Sequence, residues 1–238
     1  MRERSRAIFS HPFQKQYWKA AASELTFPKM IAVASILLAL RIAVKYLNIP
    51  LRFDLHISFD FIVNAVGTMI LGPVVTMLTA ALSDTIGAFL APSGPYFFPF
   101  IFEEMASSLI FSLFLYRAKL NSLRVILSRF AVIALVNLGL GRIIMYYYLQ
   151  TFYSANAFVF LDTARIVKNL VLFPFECVIL ILLLRTLVPL TNRLSLTFSG
   201  TTKPEFRKKD VILLVVLTAV GAAALAGYFI YYYFNQGK

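Results

Sequence analysis

Several ionisable residues stand inside or directly against long apolar stretches of this sequence. They are Arg41, Lys45, Asp60, Asp84, Glu103, Glu104, Arg142 and Glu176. A charged side chain costs roughly 3 kcal/mol at the centre of a bilayer, so each one predicts a partner or a ligand. Arg41 and Lys45 are one helical turn apart and share a face, which suits either an anion or extension to the membrane surface.

Asp84 lies among small residues in the run AALSDTIGA at 80–88, which allow another helix to approach closely. Two roles fit this carboxylate. It is either a structural partner of Arg41 or Arg142, or an acceptor for the donor groups of a bound heterocycle.

The segment at 92–99 has three prolines around one glycine and carries Tyr96 and Phe97. Such a turn is rigid and holds its aromatic side chains in fixed positions. Tyr96 and Phe97 therefore suit either a platform over an aromatic ligand or an anchor at the membrane interface.

Arg165 and Lys168 are three residues apart and share a helical face, with Asn169 beside them. This group is either a binding site for an anionic substrate or the solvated end of a helix. The adjacent carboxylates of Glu103 and Glu104 point about 100° apart on a helix, so they do not form one bidentate site.

No catalytic motif accompanies these residues. The position where a membrane glutamate protease has arginine is Ser108, and HExxH, GxSxG, P-loop and GxGxxG patterns are absent from the sequence. The two histidines, His11 and His56, lie outside the apolar segments, and Cys177 is the single cysteine, so disulfide, zinc and iron–sulfur chemistry lack ligands. We expect no cofactor and no enzymatic activity.

The composition shows which elements position these groups. Of 238 residues, 60% are hydrophobic and only 14% are charged, with a mean hydropathy of +0.77; a soluble domain has about 25% charged residues. Seven continuous apolar segments predict membrane helices rather than barrel strands. They cover 30–47, 57–71, 73–91, 98–116, 125–149, 166–190 and 211–234.

The net charge of +12 follows from where the basic residues lie. Most of the 23 Lys and Arg precede the first segment, follow the fourth or follow the sixth, which are alternate loops. The positive-inside rule then predicts a cytoplasmic N-terminus, an external C-terminus and no nucleic-acid partner. The chain divides into a basic cytoplasmic segment at 1–29, a six-span bundle at 30–193, a cytoplasmic linker at 194–210 and an additional helix at 211–238.

Small residues recur every fourth position on the first apolar segment, at Ser35, Ala39 and Ala43. This spacing makes a flat helical face against which another helix can lie, within the bundle or on a partner.

The order of several runs resembles the substrate-binding S components of energy-coupling factor (ECF) vitamin transporters, most closely the folate-specific branch. The runs are ASILLALR at 34–41, LHISFDFIVNAVGTMILGPVV at 55–75, AALSDTIG at 80–87, PSGPYF at 92–97, SLFLYR at 112–117 and RIVKNL from Arg165. The resemblance covers about 30–193.

This resemblance implies an all-α bundle in a prokaryotic cell membrane that captures folate or a related pterin from outside. An ATP-driven ECF module, made of a transmembrane coupling protein and two ATPases, then completes delivery. The family also implies that the face of Ser35, Ala39 and Ala43 meets the coupling protein.

For a folate ligand, the resemblance implies that Asp84 accepts the pterin donors and that Tyr96 and Phe97 stack on the ring. Arg41, Arg165 or Lys168, with Asn169 alongside, then meet the glutamate tail.

Three features depart from the family pattern: Gly141-Arg142-Ile143 where Asn-Thr and an aromatic residue are usual, the pair Glu103 and Glu104, and the seventh segment. Two alternatives therefore remain open. One is an S component for another water-soluble vitamin, and the other is a membrane enzyme that uses Glu103 and Glu104.

Overall fold

Helices account for nearly all of the chain in the computed structural model, which describes residues 12–47, 49–52, 55–90, 94–153, 163–197 and 201–235. The helices are α1 (Lys15–Ser23), α2 (Pro28–Lys45), α3 (Asp60–Leu90), α4 (Phe100–Leu115), α5 (Ser122–Ala131), α6 (Gly141–Tyr153), α7 (Thr163–Arg193) and α8 (Lys208–Asn235). A 3₁₀ turn, Glu24–Thr26, follows α1, and a π-helical stretch, Val132–Leu140, joins α5 to α6. Two short antiparallel strands, β1 (Ile49–Arg52) and β2 (Leu55–Ile57), link α2 to α3.

Each of the seven predicted apolar segments is mostly helical, although Ile57 at the start of the second lies in β2 and the fourth begins two residues before α4. The all-α membrane fold is confirmed. Among the described residues, four helical stretches are long and apolar enough to cross a membrane: Asp60–Leu90, Ser122–Tyr153, Thr163–Arg193 and Lys208–Tyr228. The pair Lys15–Thr26 and Pro28–Lys45, bent by 87°, is a fifth if it is counted as one broken span.

Helix α3 reverses direction at Gly72, where φ is +75°. A Cβ placed on Gly67 would lie 3.6 Å from Cγ2 of Thr76, although nine residues of straight helix span about 13 Å. The second and third predicted segments are thus two arms of one helical hairpin, and Gly72 and Pro73 make the turn. Only glycine suits this position, because a Cβ there would lie 2.7 Å from the Tyr116 ring.

The core forms where α4 packs into this hairpin and α7 closes the other side. Leu71, Phe111, Leu115, Leu180 and Ile181 are fully buried in it. In a bilayer such helices associate through close packing, since lipid is as apolar as the side chains. By contrast, Ile36, Leu135 and Val215 are more than 60% exposed and face outward, as lipid contact requires.

The predicted basic loops, where the structure describes them, gather at one end of the bundle, which we call the basic end (residues 24–29, 116–122, 194–197 and 201–207). The Nζ of Lys29 donates to the carbonyl of Leu194, and the hydroxyl of Thr202 donates to the carbonyl of Leu120 at 2.8 Å. The hydroxyl of Ser122 donates to the carbonyl of Glu205. Three loops from different parts of the chain are therefore in contact there.

A buried polar cluster closes the basic end. The Tyr116 hydroxyl donates to Oε1 of Glu24 at 2.7 Å, and Nη2 of Arg117 lies 3.3 Å from the same oxygen. Arg117, whose φ is +50°, and Glu24 are at most 2% exposed. Tyr17 of α1 donates to the carbonyl of Ser112 at 2.9 Å. The sequence did not predict α1, which holds this end together.

Helix α8 lies outside the six-span bundle, against α7. A Cβ on Gly221 would be 3.1 Å from the carbonyl oxygen of Leu170 and from Cα of Val171, and Leu214 is buried. Most of the helix surface faces away from the protein. The predicted division into a linker at 194–210 and an additional helix at 211–238 remains a prediction, although α8 begins at Lys208.

Candidate functional site

A cavity of about 620 Å³ lies among α2, α3, α4, α5–α6 and α7, at the end of the bundle away from the basic loops. Helix α4 connects the two ends of the bundle. It begins beside the cavity, at Phe100, and ends next to Tyr116, in the buried polar cluster of the basic end. Its 16 residues separate the two ends by about 24 Å. The cavity has an acidic side, a basic side and an aromatic rim.

A continuous chain of ion pairs forms the acidic side. Nη2 of Arg41 lies 3.1 Å from Oδ2 of Asp60 and 2.9 Å from Oε2 of Glu104. The other oxygen of Glu104 is 3.2 Å from Nζ of Lys45, which is also 3.1 Å from Oδ1 of Asp84. Two cations thus hold three carboxylates in one arrangement.

This arrangement changes the roles expected for three residues. Arg41 was expected to contact the ligand, but it is 2% exposed and does not line the cavity; Nη1 also donates to Asn64 and Ser108. Lys45 points into the bundle rather than outward to the membrane surface. Asp84 pairs with Lys45, not with Arg41 or Arg142.

Glu103 and Glu104 have different surroundings, as expected for adjacent residues on a helix. Glu104 lies between two cations, whereas Glu103 faces the cavity and forms no hydrogen bond or ion pair with any residue in the described ranges. The carboxylate of Glu103 packs against Gly141, where a Cβ would lie 2.5 Å from Oε1.

The start of α7 supplies the basic side. Arg165, Lys168 and Asn169 all line the cavity, and the Asn169 amide donates to the carbonyl of Arg165 at 3.0 Å. Deeper in the cavity, Nε of Arg129 pairs with Oε2 of Glu176 at 2.8 Å. The guanidinium of Arg129 also lies 4.6 Å from the ring centre of Phe61.

Aromatic residues form the rim. Tyr96 and Phe97 line the cavity, as do Phe100 and Tyr148. The ring of Tyr148 is 5.7 Å from that of Phe97 and 5.4 Å from that of Phe100, which is the usual spacing of packed aromatic rings. Gly94 permits this packing, since a Cβ there would be 2.5 Å from the Tyr148 hydroxyl.

Six of the seven residues predicted to bind substrate therefore lie around one cavity, and Arg41 lies behind it. These are Asp84, Tyr96, Phe97, Arg165, Lys168 and Asn169.

Sequence reasoning missed Tyr148, Asn137 and Arg129 as cavity residues. The run Tyr146-Tyr147-Tyr148 gave no sign of which ring faces inward. The position of Arg129 within an apolar segment, opposite Glu176, was a usable signal, because an isolated arginine there requires a partner.

The three small residues on α2 lie elsewhere. Ser35, Ala39 and Ala43 are all exposed and do not line the cavity, so their face is open along the side of the bundle.

Comparison with known proteins agrees with this architecture. Residues 29–184 match the family described as "ECF transporter, substrate-specific component". A "Folate transporter FolT" of Leuconostoc mesenteroides is 31% identical over 155 residues, which cover 63% of this chain and 83% of the relative. A protein of the same name from Clostridium novyi is 30% identical over 126 residues, covering 53% and 70%.

A solved structure, described as FolT bound with folic acid, superposes with a TM-score of 0.56 at 27% identity. The match covers 63% of this chain and 88% of that one. The matched family region contains the cavity residues from Lys45 to Glu176 and ends before α8. This chain belongs to the substrate-specific components of ECF transporters, the membrane subunits that supply substrate binding to an ATP-driven module.

Proposed function

We propose that this protein binds folate, or a closely related pterin, from outside the cell and hands it to an ECF module. The observation that carries the proposal is the cavity of about 620 Å³, with carboxylates on one side and cations on the other. Its size falls within the roughly 300–1,000 Å³ typical of small-molecule sites. Two relatives and one solved neighbour carry folate in their names or description.

The chemistry of folate matches the distribution of groups in the cavity. Its pterin ring presents an N–H and an amino group side by side, which a carboxylate of the acidic side accepts. The ring system is flat and suits stacking on the rim formed by Tyr96 and Phe97. At the other end, the glutamate carboxylates suit Arg165 and Lys168, with Asn169 as a neighbouring donor.

The cavity opens to the outside if the N-terminus is cytoplasmic. The basic end carries Lys29, Arg117 and Lys203, and loops rich in such residues stay in the cytoplasm. The cavity, at the opposite end, then faces the external medium. An impermeant maleimide tests this orientation in intact cells: the Phe98→Cys variant should be labelled, because Phe98 is exposed beside the cavity rim, and the Lys19→Cys variant should not. Cys177 is fully buried and needs no replacement.

Transport also requires a contact with the coupling protein, for which we propose the face of Ser35, Ala39 and Ala43. All three are exposed, and the face lies apart from the cavity. A helix of the partner can pack closely against such small side chains. Binding and coupling then use different surfaces of the protein.

We assign the protein no reaction of its own. An enzyme based on Glu103 and Glu104 needs both carboxylates available, but Glu104 is held by Arg41 and Lys45. The contacts of Glu104 fit a structural role.

Calorimetry of the detergent-purified protein, freed of co-purified ligand, tests the proposal. Folate should bind with a Kd below about 1 µM, and riboflavin and thiamine should bind at least about 100-fold more weakly. Tight riboflavin or thiamine binding without folate binding would instead make this an S component for another vitamin.

A further inference from the structure

The carboxylates that line the cavity differ in whether they have a cationic partner. Four of them have a cation within 3.3 Å. Arg41 pairs with Asp60, Lys45 pairs with Asp84, Glu104 pairs with both of these cations, and Arg129 pairs with Glu176. Within the described part of the chain, Glu103 alone among the lining carboxylates has no ion pair and no hydrogen bond.

An unpaired carboxylate among helices is unfavourable unless something else satisfies it. Glu103 stands on the first turn of α4, where it is half-buried and lines the cavity. The backbone of Gly141 packs against the Glu103 carboxylate, and any side chain at position 141 would collide with it. The carboxylate of Glu103 therefore borders the cavity, with Gly141 behind it and no hydrogen-bond donor from the described residues.

We propose that Glu103 is the residue that recognises the paired donors of the ligand, an N–H and an adjacent amino group as on a 2-amino-4-oxopteridine. This inference rests on the proposed folate function and names the residue that sets specificity within it. Glu103 accepts the two donors side by side, in a charge-assisted bidentate contact.

Asp84, the acceptor expected from the sequence, suits this contact less well. Its Oδ1 is already bonded to Lys45, whose charge offsets that of the carboxylate. Asp84 and Glu104 then hold Lys45 in place, and the ligand meets the carboxylate that the protein leaves unpaired.

A cycle of protein variants and ligands tests the assignment by calorimetry. The ligands are folic acid and an analogue in which a methyl group replaces the 2-amino group. Glu103→Gln should weaken folic acid binding about 100-fold. The analogue should bind the unchanged protein far more weakly than folic acid does, but the Glu103→Gln variant should discriminate little between the two.

Glu104→Gln is the matched control, because it changes the neighbouring residue in the same way. It removes two ion pairs, so it should lower the unfolding temperature, whereas Glu103→Gln should leave it unchanged or raise it. Gly141→Ala should reproduce the loss of affinity, since its methyl group displaces the Glu103 carboxylate, the flexible end of a side chain, while the fold is kept.

The proposal is overturned if Glu103→Gln binds folic acid as the unchanged protein does, or if the variant still discriminates fully against the analogue. It is overturned equally if Asp84→Asn, and not Glu103→Gln, abolishes that discrimination. Failure of the folate function gives a different result, since the unchanged protein would then bind neither ligand.

Discussion

The two ends of this bundle contain the same kinds of residues in opposite states. At the basic end, Arg117, Glu24 and Tyr116 contact one another and are almost completely buried. At the other end, Arg165, Glu103 and Tyr148 surround about 620 Å³ of open space. The difference comes from α1, which packs over the first cluster, whereas no helix in the described chain covers the second.

Residue type therefore does not decide between a structural and a ligand-binding role in a membrane. Both clusters satisfy the requirement that buried charges find partners. What distinguishes them is whether the cluster is buried in packed protein or borders an open cavity. Substitutions at the basic end should therefore change stability and leave binding intact. Around the cavity, substitutions of residues outside the ion-pair chain of Arg41 and Lys45 should do the reverse.

The largest effect is expected from Glu24→Ala. It leaves Arg117 buried without its carboxylate partner, which should cost about 3–5 kcal/mol of stability. A thiol-reactive dye measures this loss on heating, because Cys177 is the single cysteine and is exposed only on unfolding.

The molecules that remain folded should bind folate with unchanged affinity. A loss of affinity in the folded fraction would mean that the basic end takes part in the site and would remove the distinction between the two ends.

A smaller effect is expected from the double variant Arg165→Gln, Lys168→Gln. It removes the cations proposed to meet the glutamate tail, so folate affinity should fall about 30-fold, or about 2 kcal/mol. The thermal midpoint should change little, and a pterin without the glutamate tail should bind both proteins equally. If the variant instead bound that pterin about 30-fold more weakly as well, the two cations would contact another part of the ligand and not the glutamate tail.

The sequence predicts these regions unequally. Continuous apolar segments fix the helices, and Gly72-Pro73 fixes the break within α3, because these signals are local. The pairing of Asp84 with Lys45 and the burial of Arg41 depend on how α2, α3 and α4 pack together. No local sequence pattern reports that packing.

The closed cluster at the basic end went unpredicted for the same reason. Glu24 and Arg117 are 93 positions apart and come together only when α1 packs beside α4. Positive-inside counting placed both loops on one side, but it carried no information about which charges would be buried there.

A substitution on α2 separates binding from coupling. Ala39→Leu adds bulk to the exposed face of α2, where it should obstruct the close approach of a partner helix. Folate affinity should be unchanged, and uptake by cells that express the complete ECF transporter should fall at least tenfold. Ala39→Ser is the control, since it changes the same position but keeps a small side chain there; its uptake should be normal.

The smallest effect is expected from removal of α8. This helix packs on α7 outside the family match, and it does not line the cavity. A protein ending at Arg207 should bind folate within about threefold of the full chain. A larger loss would show that α8 supports the position of Arg165 and Lys168 on α7.

Above all, we expect the open cluster, and not the closed one, to hold the ligand. A structure determined with folic acid is the decisive experiment. We expect the pterin ring between Tyr96 and Phe97 with its donor edge at Glu103, and the glutamate carboxylates near Arg165 and Lys168. Folic acid bound outside the cavity, or a cavity filled by its own side chains, would refute this expectation.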